Sequence, residues 1–288
     1  MKKIIIATLS FLSIFSYAQN QRFSYEYKFV ADSLEKDKVE TEIMLLNVFS
    51  KGSQFYSKAT AESDSAMNAE ILKQVSSGTN HINLKGTVRS GKVRHQVEKS
   101  YPEYKVDYFI KLGGEEYLVN DIRKQDWKIS PDKEKIGTFM TQKATCTYAG
   151  RNWTAWFTTE IPIQDGPYKF HGLPGLIVKI EDQSKSHSYE LKGVQKMDEN
   201  AAFKSFKDKE RYSALIILDH KKFKKAYLDY RADPNKAARN MMNSGMKFSM
   251  KDASGNPVDM NKMMKDREKK QIEANKKNNN LLELDLLK

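Results

Sequence analysis

The stretch KATCTYAGRNWTAWFTT, residues 143–159, predicts a β-hairpin. Two runs with alternating β-branched and aromatic side chains flank the dipeptide Ala149-Gly150, and this pattern is typical of paired strands around a tight turn. Trp153 and Trp156 lie three positions apart, so on a strand they face opposite sides. We therefore expect one of the two indoles in the core and the other on an open face.

Similar strand signals precede and follow this hairpin. They fall at residues 23–30, 42–49, 54–58, 93–99, 105–112, 115–122, 127–129, 176–181 and 188–193. Such closely spaced runs favour an antiparallel meander over βαβ units. Residues 60–76 are more polar and predict a short helix or a loop.

After residue 200 the pattern changes to helical periodicity. Helices are predicted from His220 to about Arg231, after an N-cap at Asp233-Pro234, and from Asp259 to about Asn275. Residues 281–287 predict a final strand or a docking segment. The sequence thus predicts an α+β fold, a curved antiparallel β-meander or half-barrel with C-terminal helices packed on it.

The first residues resemble a secretory signal peptide. Lys2 and Lys3 precede an apolar run over residues 4–15, and Ser16-Tyr17-Ala18 resembles a signal-peptidase site. The run is too short to span a membrane. We predict cleavage after Ala18, a periplasmic or secreted location, and a mature chain that does not span the membrane. The predicted organisation is a signal peptide (1–18), a β-rich domain (19–200) and a basic, helix-rich region packed on the sheet (201–288).

Charge is unevenly distributed along the chain. The net charge is +12, and residues 204–288 hold 21 Lys and Arg against 12 Asp and Glu. A basic C-terminal region is suited to anionic partners such as an envelope surface, whereas nucleic acid is not an expected partner of an exported chain without a reading motif. The single cysteine, Cys146, excludes an internal disulfide, and its place in an alternating strand favours burial.

The loop DGPYKFHGLPGLI, residues 165–177, is dense in glycine and proline. Glycine permits positive φ and close backbone approach, and proline fixes φ, so this loop has a specified shape. We expect a structural corner formed by Gly166, Pro167, Gly172, Pro174 and Gly175.

Residues 172–177 spell the signature of the GLPGLI family of exported, Bacteroidetes-type bacterial proteins, and the chain resembles that family from about residue 140 to 190. Residues 150–157, 161–163 and 178–182 carry the resemblance on either side of the loop. The resemblance implies export but no particular activity.

Loops on a rigid scaffold often carry binding residues, so this loop could also form the rim of a ligand groove. The predicted ligand-binding residues are Trp156, Asp165, Tyr168, Phe170, His171 and Leu173. The sequence favours a non-catalytic binding or carrier protein for an apolar or peptide ligand, held between sheet and helices. By analogy, this architecture resembles the half-barrel lipid carriers of the LolA type. No cofactor is expected.

Three alternatives remain open at this stage. Asp165 and His171 could form the acid–base pair of a hydrolase, which predicts their contact with a third polar group in a cleft. Thioethers select Cu(I), so a methionine cluster could bind copper; its members are Met241, Met242, Met246, Met250, Met260, Met263 and Met264. A scaffold partner of an envelope complex would instead expose an apolar patch.

Overall fold

The computed structural model describes residues 20–78, 90–211, 214–243 and 258–288. The predicted signal peptide lies outside these residues, as do Met246 and Met250, so export and the full methionine cluster stay predictions. Within the described ranges, no helix has both the length and the apolar character needed to cross a membrane.

One mixed sheet dominates the structure. Its strands are Gln21–Phe29 (β1), Glu40–Phe49 (β2), Gly52–Ser57 (β3), Gln96–Ser100 (β4), Lys105–Leu112 (β5), Glu115–Asp121 (β6), Lys128–Ile136 (β7), Phe139–Tyr148 (β8), Arg151–Thr158 (β9), Leu176–Asp182 (β10), His187–Lys196 (β11) and Ile216–Asp219 (β12). Their spatial order is β12-β6-β5-β4-β3-β2-β1-β11-β10-β9-β8-β7.

The order shows two meanders that are joined where β1 of the first pairs with β11 of the second. β1 pairs antiparallel with both β2 and β11, which joins the β1–β6 meander to the β7–β11 meander. Among the described strands, only β12 is parallel to its neighbour, β6. The predicted predominance of antiparallel pairing is confirmed, including the hairpin over residues 143–159.

Chain connectivity requires this open sheet to curl. β6 ends at Asp121 and β7 begins at Lys128, yet the two strands lie ten positions apart in the sheet. A flat sheet would separate them by about 48 Å, whereas seven extended residues span at most about 25 Å. The Tyr148 hydroxyl of β8 indeed donates a hydrogen bond to the Asp121 carboxylate of β6 at 3.1 Å. The sheet face enclosed by this curl is called the inner face below.

In the described part of the chain, four α-helices accompany the sheet: Lys58–Ser76 (α1), His220–Ala232 (α2), Lys236–Asn243 (α3) and Met260–Lys277 (α4). Ser57, Asp219 and Asp259 cap α1, α2 and α4 through their side chains. Serine and aspartate are favoured there because they accept hydrogen bonds from otherwise unpaired backbone N–H groups. α2 lies against β6 and β12 and places Phe223 in the core.

One expectation about this region is wrong: Asp233 is the C-cap of α2 rather than an N-cap, and α3 begins only at Lys236. Residues 281–287 follow the second of their two predicted alternatives, because they form no strand but dock on the core through the buried Leu286. They belong to a segment, residues 278–288, that ends in a short 3-10 helix at Leu284–Leu287 and is called the C-terminal segment below.

The core lies on the inner face and is rich in aromatic side chains. The two indoles divide as predicted, with Trp153 buried and Trp156 half-buried. Cys146 is buried as predicted, and burial raises the pKa of its thiol to about 12. The C-terminal region contributes a strand, β12, as well as helices, and the proposed boundary at residue 200 stays a prediction.

Candidate functional site

Lys99, a buried lysine of the sheet, binds the backbone of loop 165–177. Lys99 of β4 donates hydrogen bonds from Nζ to the carbonyl oxygens of Gly166 (2.7 Å), Tyr168 (3.0 Å) and Phe170 (3.2 Å). Its ion pair with Asp165 measures 2.5 Å, and both side chains are fully buried. Burial lowers the pKa of Lys99, and the Asp165 carboxylate opposes this effect.

Asp165 is satisfied by the same structural unit. Its carboxylate accepts hydrogen bonds from the Ser53 hydroxyl at 2.6 Å, from the Tyr101 hydroxyl, and from the backbone N–H of Gly166. A buried charge is tolerated when it is paired and hydrogen-bonded. The ion pair therefore fixes the path of the loop over the inner face.

A second buried lysine, Lys169, points from the loop in the other direction. Its Nζ lies 2.8 Å from the Asp121 carboxylate, contacts Glu283, and sits 4.1 Å from the centre of the Tyr108 ring. Arg123 pairs with Asp121 at 2.5 Å and with Glu283 at 2.8 Å. We call Lys169, Asp121, Arg123 and Glu283 the Lys169 cluster.

The cations of this cluster keep its carboxylates ionised. Burial favours the neutral form of Asp121, but the hydrogen bond from Arg123 and the charge of Lys169 hold its pKa well below the usual range. Burial also opposes the charge of Glu283, and Lys169 and Arg123 together lower its pKa. The cluster thus joins the loop, the end of β6 and the C-terminal segment.

Backbone recognition holds the C-terminal segment on the inner face. Arg151 donates hydrogen bonds to the carbonyl oxygens of Leu281 (2.5 Å) and Leu282 (3.2 Å). The backbone N–H of Asn280 donates to the Ala31 carbonyl at 3.0 Å, and the His187 Nε2 lies 2.9 Å from the Asn280 carbonyl. The segment is therefore anchored on the sheet through its backbone.

A cavity of about 230 Å³ lies between the inner face and this segment. Five aromatic side chains line it, Tyr27, Phe29, Tyr108, Tyr168 and Tyr227, together with aliphatic and polar residues. Leu281, Leu282 and Leu286 of the C-terminal segment close one side, and Glu283 of the Lys169 cluster borders it.

One polar atom in the cavity wall lacks a partner. The His95 Nε2 is inaccessible to solvent and makes no hydrogen bond in the described structure. Burial and the nearby charge of Lys169 lower the pKa of His95 to about 4, so its ring is neutral at pH 7. Buried polar atoms are nearly always paired, which makes this nitrogen a candidate contact for a ligand.

A larger depression, of about 730 Å³, follows helix α4. Charged side chains such as Lys262, Asp266, Arg267 and Lys270 line it, and among the described residues no aromatic side chain contributes to it. Because no described ring borders this depression, it is not the candidate site for an aromatic ligand.

The predicted ligand-binding residues occupy four different environments. Tyr168 lines the cavity, and its hydroxyl donates a hydrogen bond to Glu283 at 2.6 Å. Asp165, Phe170 and Leu173 are fully buried beneath the loop. His171 is half-buried and stacks on Tyr104, with ring centres 5.3 Å apart.

The sixth residue of that prediction, Trp156, faces away from the core, near the Lys143 ammonium at 5.8 Å from its ring centre. The structure therefore does not gather the six side chains around one groove. Ligand binding by any of them stays a prediction.

The glycines of the loop permit both a turn and close contacts. Gly172 has a φ of 91°, and a Cβ at Gly175 would lie 2.0 Å from the Thr158 carbonyl oxygen. A Cβ at Gly166 would lie 2.7 Å from the Ile177 side chain. These contacts agree with the predicted structural corner, whose prolines are Pro167 and Pro174.

Asp165 and His171 lie opposite each other in a backbone β-bridge, but their side chains do not form the acid–base pair that the hydrolase prediction requires. Within the described residues, no hydrogen bond joins the Asp165 side chain to the His171 ring, whose Nδ1 instead lies 2.9 Å from the Lys169 carbonyl. Asp165 is paired with Lys99 and has no exposed surface.

Ligand atoms of Asp121, His220 and Glu283 lie within 4.8 Å of one another, a spacing that a metal ion could bridge. However, Lys169 and Arg123 already neutralise both carboxylates. The donor set therefore does not fit a cation.

Sequence reasoning did not single out the residues that organise this site: Lys99, Lys169, Asp121, Glu283 and His95. One signal was present for two of them. In the alternating run over residues 93–99, His95 and Lys99 share a face with the apolar residues Val93 and Val97, and accordingly Lys99 is buried and His95 half-buried. Nothing in the sequence indicates that Lys169 meets Asp121 and Glu283, because these contacts span 48 and 114 positions.

Comparisons with known proteins agree with this picture and leave the activity open. A family model described as "Protein of unknown function (Porph_ging)" matches residues 148–179, which cover β9, the loop and the start of β10. This is the centre of the region that resembles the GLPGLI family. No curated protein matches the chain.

Among solved structures, one crystal form of PNGF-II is similar with a TM-score of 0.50 at 15% identity, over 74% of this chain and 34% of that chain. A second crystal form of PNGF-II gives a TM-score of 0.48 with the same identity and coverage. At this identity the likeness concerns the fold alone. The chain spans about a third of the length of PNGF-II.

Proposed function

We propose that this chain is an exported, non-catalytic binding protein that holds the aromatic side chain of a peptide in the cavity on the inner face. The observation that carries the proposal is an aromatic cavity with one unpaired imidazole nitrogen in its wall. The curled sheet then serves as a half-barrel, and the predicted signal peptide takes the protein to the periplasm or the medium.

The volume of the cavity limits the size of its occupant. An engineered cavity of about 150 Å³ holds one benzene, whereas pockets for drug-sized ligands measure about 300–1,000 Å³. A cavity of about 230 Å³ suits one indole or phenol ring and is too small for a whole lipid. Lys92, at the edge of the cavity, is exposed, which supports access from solvent.

The polarity of the wall favours a ring with one N–H or O–H group. The neutral His95 ring can accept a hydrogen bond at Nε2 when its proton is on the other nitrogen. The side chains of tryptophan and tyrosine combine an aromatic body with one such donor. A ligand of this kind would fill the apolar volume and satisfy the unpaired nitrogen.

The surroundings of the cavity support binding rather than catalysis. Its carboxylate, Glu283, is paired with Lys169 and Arg123 and accepts a hydrogen bond from Tyr168. A general base needs a free lone pair directed at substrate. In the described structure, no carboxylate forms a hydrogen bond to His95 that would orient its ring for proton transfer. We therefore assign His95 the role of a hydrogen-bonding contact for the ligand.

Isothermal titration with N-acetyl-tryptophanamide tests this function, with N-acetyl-alaninamide as the matched ligand without a ring. We expect binding of the first and not the second. Ile110→Trp places an indole in the cavity and should abolish binding, whereas Ile129→Trp makes the same change at an exposed position of β7 and should preserve it.

Thermal unfolding of both variants establishes that they fold. Affinity for N-acetyl-tryptophanamide weaker than about 1 mM, or equal binding by folded Ile110→Trp and the unmodified protein, would refute the proposal.

A further inference from the structure

Helix α4 exposes an array of positive charge. Its sequence contains seven Lys and Arg against three Asp and Glu, and all seven cations are exposed to solvent. They are Lys262, Lys265, Arg267, Lys269, Lys270, Lys276 and Lys277. α4 spans about 27 Å, so the charges are spread along one side of the molecule.

Within the described residues, these cations lack the ion pairs that many other lysines of the chain make. In the described residues, none of the seven lies in a salt bridge, whereas Lys28 pairs with Glu26, Lys92 with Glu40, and Lys207 with Asp107. One of the three acids of α4, Glu268, is moreover paired with Arg239 of α3 at 3.1 Å. The positive potential of α4 is therefore not neutralised by its own surroundings.

Helix α2 extends the positive surface. It contacts α4 through a hydrogen bond from Asn275 to the Arg231 carbonyl, at 3.3 Å. α2 adds three exposed lysines, Lys221, Lys222 and Lys225, of which the last two pair with the exposed Asp219 and Asp229. We call the exposed Lys and Arg of α2 and α4 the cationic face.

The composition of this face selects among anionic partners. A stable protein–protein interface needs a buried centre rich in aromatic or apolar residues, and single-stranded nucleic acid needs aromatic rings for stacking. The exposed uncharged positions of α4 include only small or polar residues, such as Asn261 and Ala274. An anionic lipid bilayer requires neither feature, because clustered Lys and Arg near its surface are attracted by the head-group charge alone.

We propose that the cationic face docks the protein on an anionic lipid bilayer, with lysines and arginine of α4 against the lipid phosphates. The bound protein lies on the membrane surface without inserting a helix. α4 ends next to Asn278, which lines the cavity, so docking places the cavity close to the bilayer. This inference concerns a different surface from the cavity and does not depend on the proposed ligand.

Vesicle co-sedimentation of the full mature chain tests the inference. We expect binding to phosphatidylcholine vesicles that contain phosphatidylglycerol and none to pure phosphatidylcholine. Raising the salt from about 0.1 M to about 1 M shortens the Debye length from about 10 Å to about 3 Å and should release the protein.

Two triple variants with the same change in net charge separate a specific face from overall charge. Lys265→Glu, Lys269→Glu and Lys276→Glu together should weaken binding by more than about tenfold. Lys128→Glu, Lys133→Glu and Lys135→Glu, at exposed positions of β7, should change binding by less than about twofold. The corresponding Lys→Gln triple in α4 is a milder version, and circular dichroism confirms that each variant folds.

Equal binding to both kinds of vesicle, or an equal loss in both triple variants, would overturn the inference. Binding to a DNA duplex by a protein that leaves anionic vesicles unbound would overturn it as well, and would assign the face to nucleic acid.

Discussion

Two buried lysines anchor loop 165–177: Lys99 belongs to the sheet, and Lys169 belongs to the loop itself. Lys99 extends from the sheet into the loop and bonds to three loop carbonyls and Asp165. Lys169 extends from the loop toward the sheet and the C-terminal segment, where it meets Asp121 and Glu283. Both ammonium groups are buried, but only the second lies beside the cavity.

The difference separates two roles within one loop. The interactions of Lys99 are satisfied by backbone atoms and one carboxylate of the loop, so they determine its shape. Those of Lys169 join three parts of the chain that are distant in sequence, so they determine how the loop meets the C-terminal segment. The Lys99 side serves the fold, and the Lys169 side builds the wall of the candidate site.

The largest effect is expected from removing the first lysine. Lys99→Met leaves the Asp165 carboxylate buried without its cation, and breaking a buried pair in this way costs about 3–5 kcal/mol. Urea unfolding at pH 7 measures the loss. The double variant with Asp165→Asn removes the unpaired charge and should recover part of it; a double variant less stable than Lys99→Met would contradict this explanation.

Removing Lys169 should lower the free energy of unfolding by less than removing Lys99, and it should affect the C-terminal segment rather than the loop. In Lys169→Met, Asp121 and Glu283 both keep Arg123, so we expect a loss of about 2–4 kcal/mol. Hydrogen exchange should accelerate in the C-terminal segment while the amides of Phe170 and Ile177 remain protected. Uniform acceleration across the whole loop would show that the two lysines are not separable.

Lowering the pH should reduce the stability of the protein through His95, which lines the cavity. Its pKa of about 4 in the folded protein lies below the ordinary value of 6.5, so the unfolded chain takes up the proton first. The stability that the neutral ring contributes is complete above pH 6.5 and is lost as the pH falls toward 4, by up to roughly 3 kcal/mol.

Unfolding free energies measured between pH 7 and pH 4 check this prediction. The variant His95→Gln should show a shallower decline over that interval. His187, whose pKa burial and the Arg151 charge lower in the same direction, accounts for part of the remaining slope. An identical decline with and without His95 would refute the assignment.

The smallest change tests the corner itself. Gly175→Ala would place a Cβ 2.0 Å from the Thr158 carbonyl oxygen and should cost about 1–3 kcal/mol. Gly114→Ala is the control, because a Cβ there meets nothing within 4 Å, and it should stay within about 0.5 kcal/mol of the unmodified protein. Thermal unfolding compares the two; equal losses would mean that close packing of the loop is not the cause.

Local patterns predicted much of the fold. Alternation along residues 143–159 corresponds to an observed hairpin, and helices lie at His220–Ala232 and Met260–Lys277, close to the predicted ranges. These features depend on residues that are close together in the sequence, so local patterns are enough to predict them. The placement of β1 beside β11 depends on pairing across more than 150 positions, and no local pattern specifies it.

The candidate site was less predictable for the same reason. The loop that contains Tyr168 was recognised, and Tyr168 does line the cavity. Its partners Glu283 and Lys169 come together only when the C-terminal segment crosses the inner face. Buried ion pairs of this kind also escape composition arguments, because lysine and aspartate are mostly exposed residues.

Chemical-shift mapping with N-acetyl-tryptophanamide tests the central claim, that the Lys169 side of the loop borders the ligand site and the Lys99 side does not. We expect saturable chemical-shift changes at His95, Tyr168 and Leu281–Leu286, with the signals of Trp156 and Ser53 unchanged. Shifts centred on Trp156, or on the pocket of Lys99 and Asp165, would contradict it.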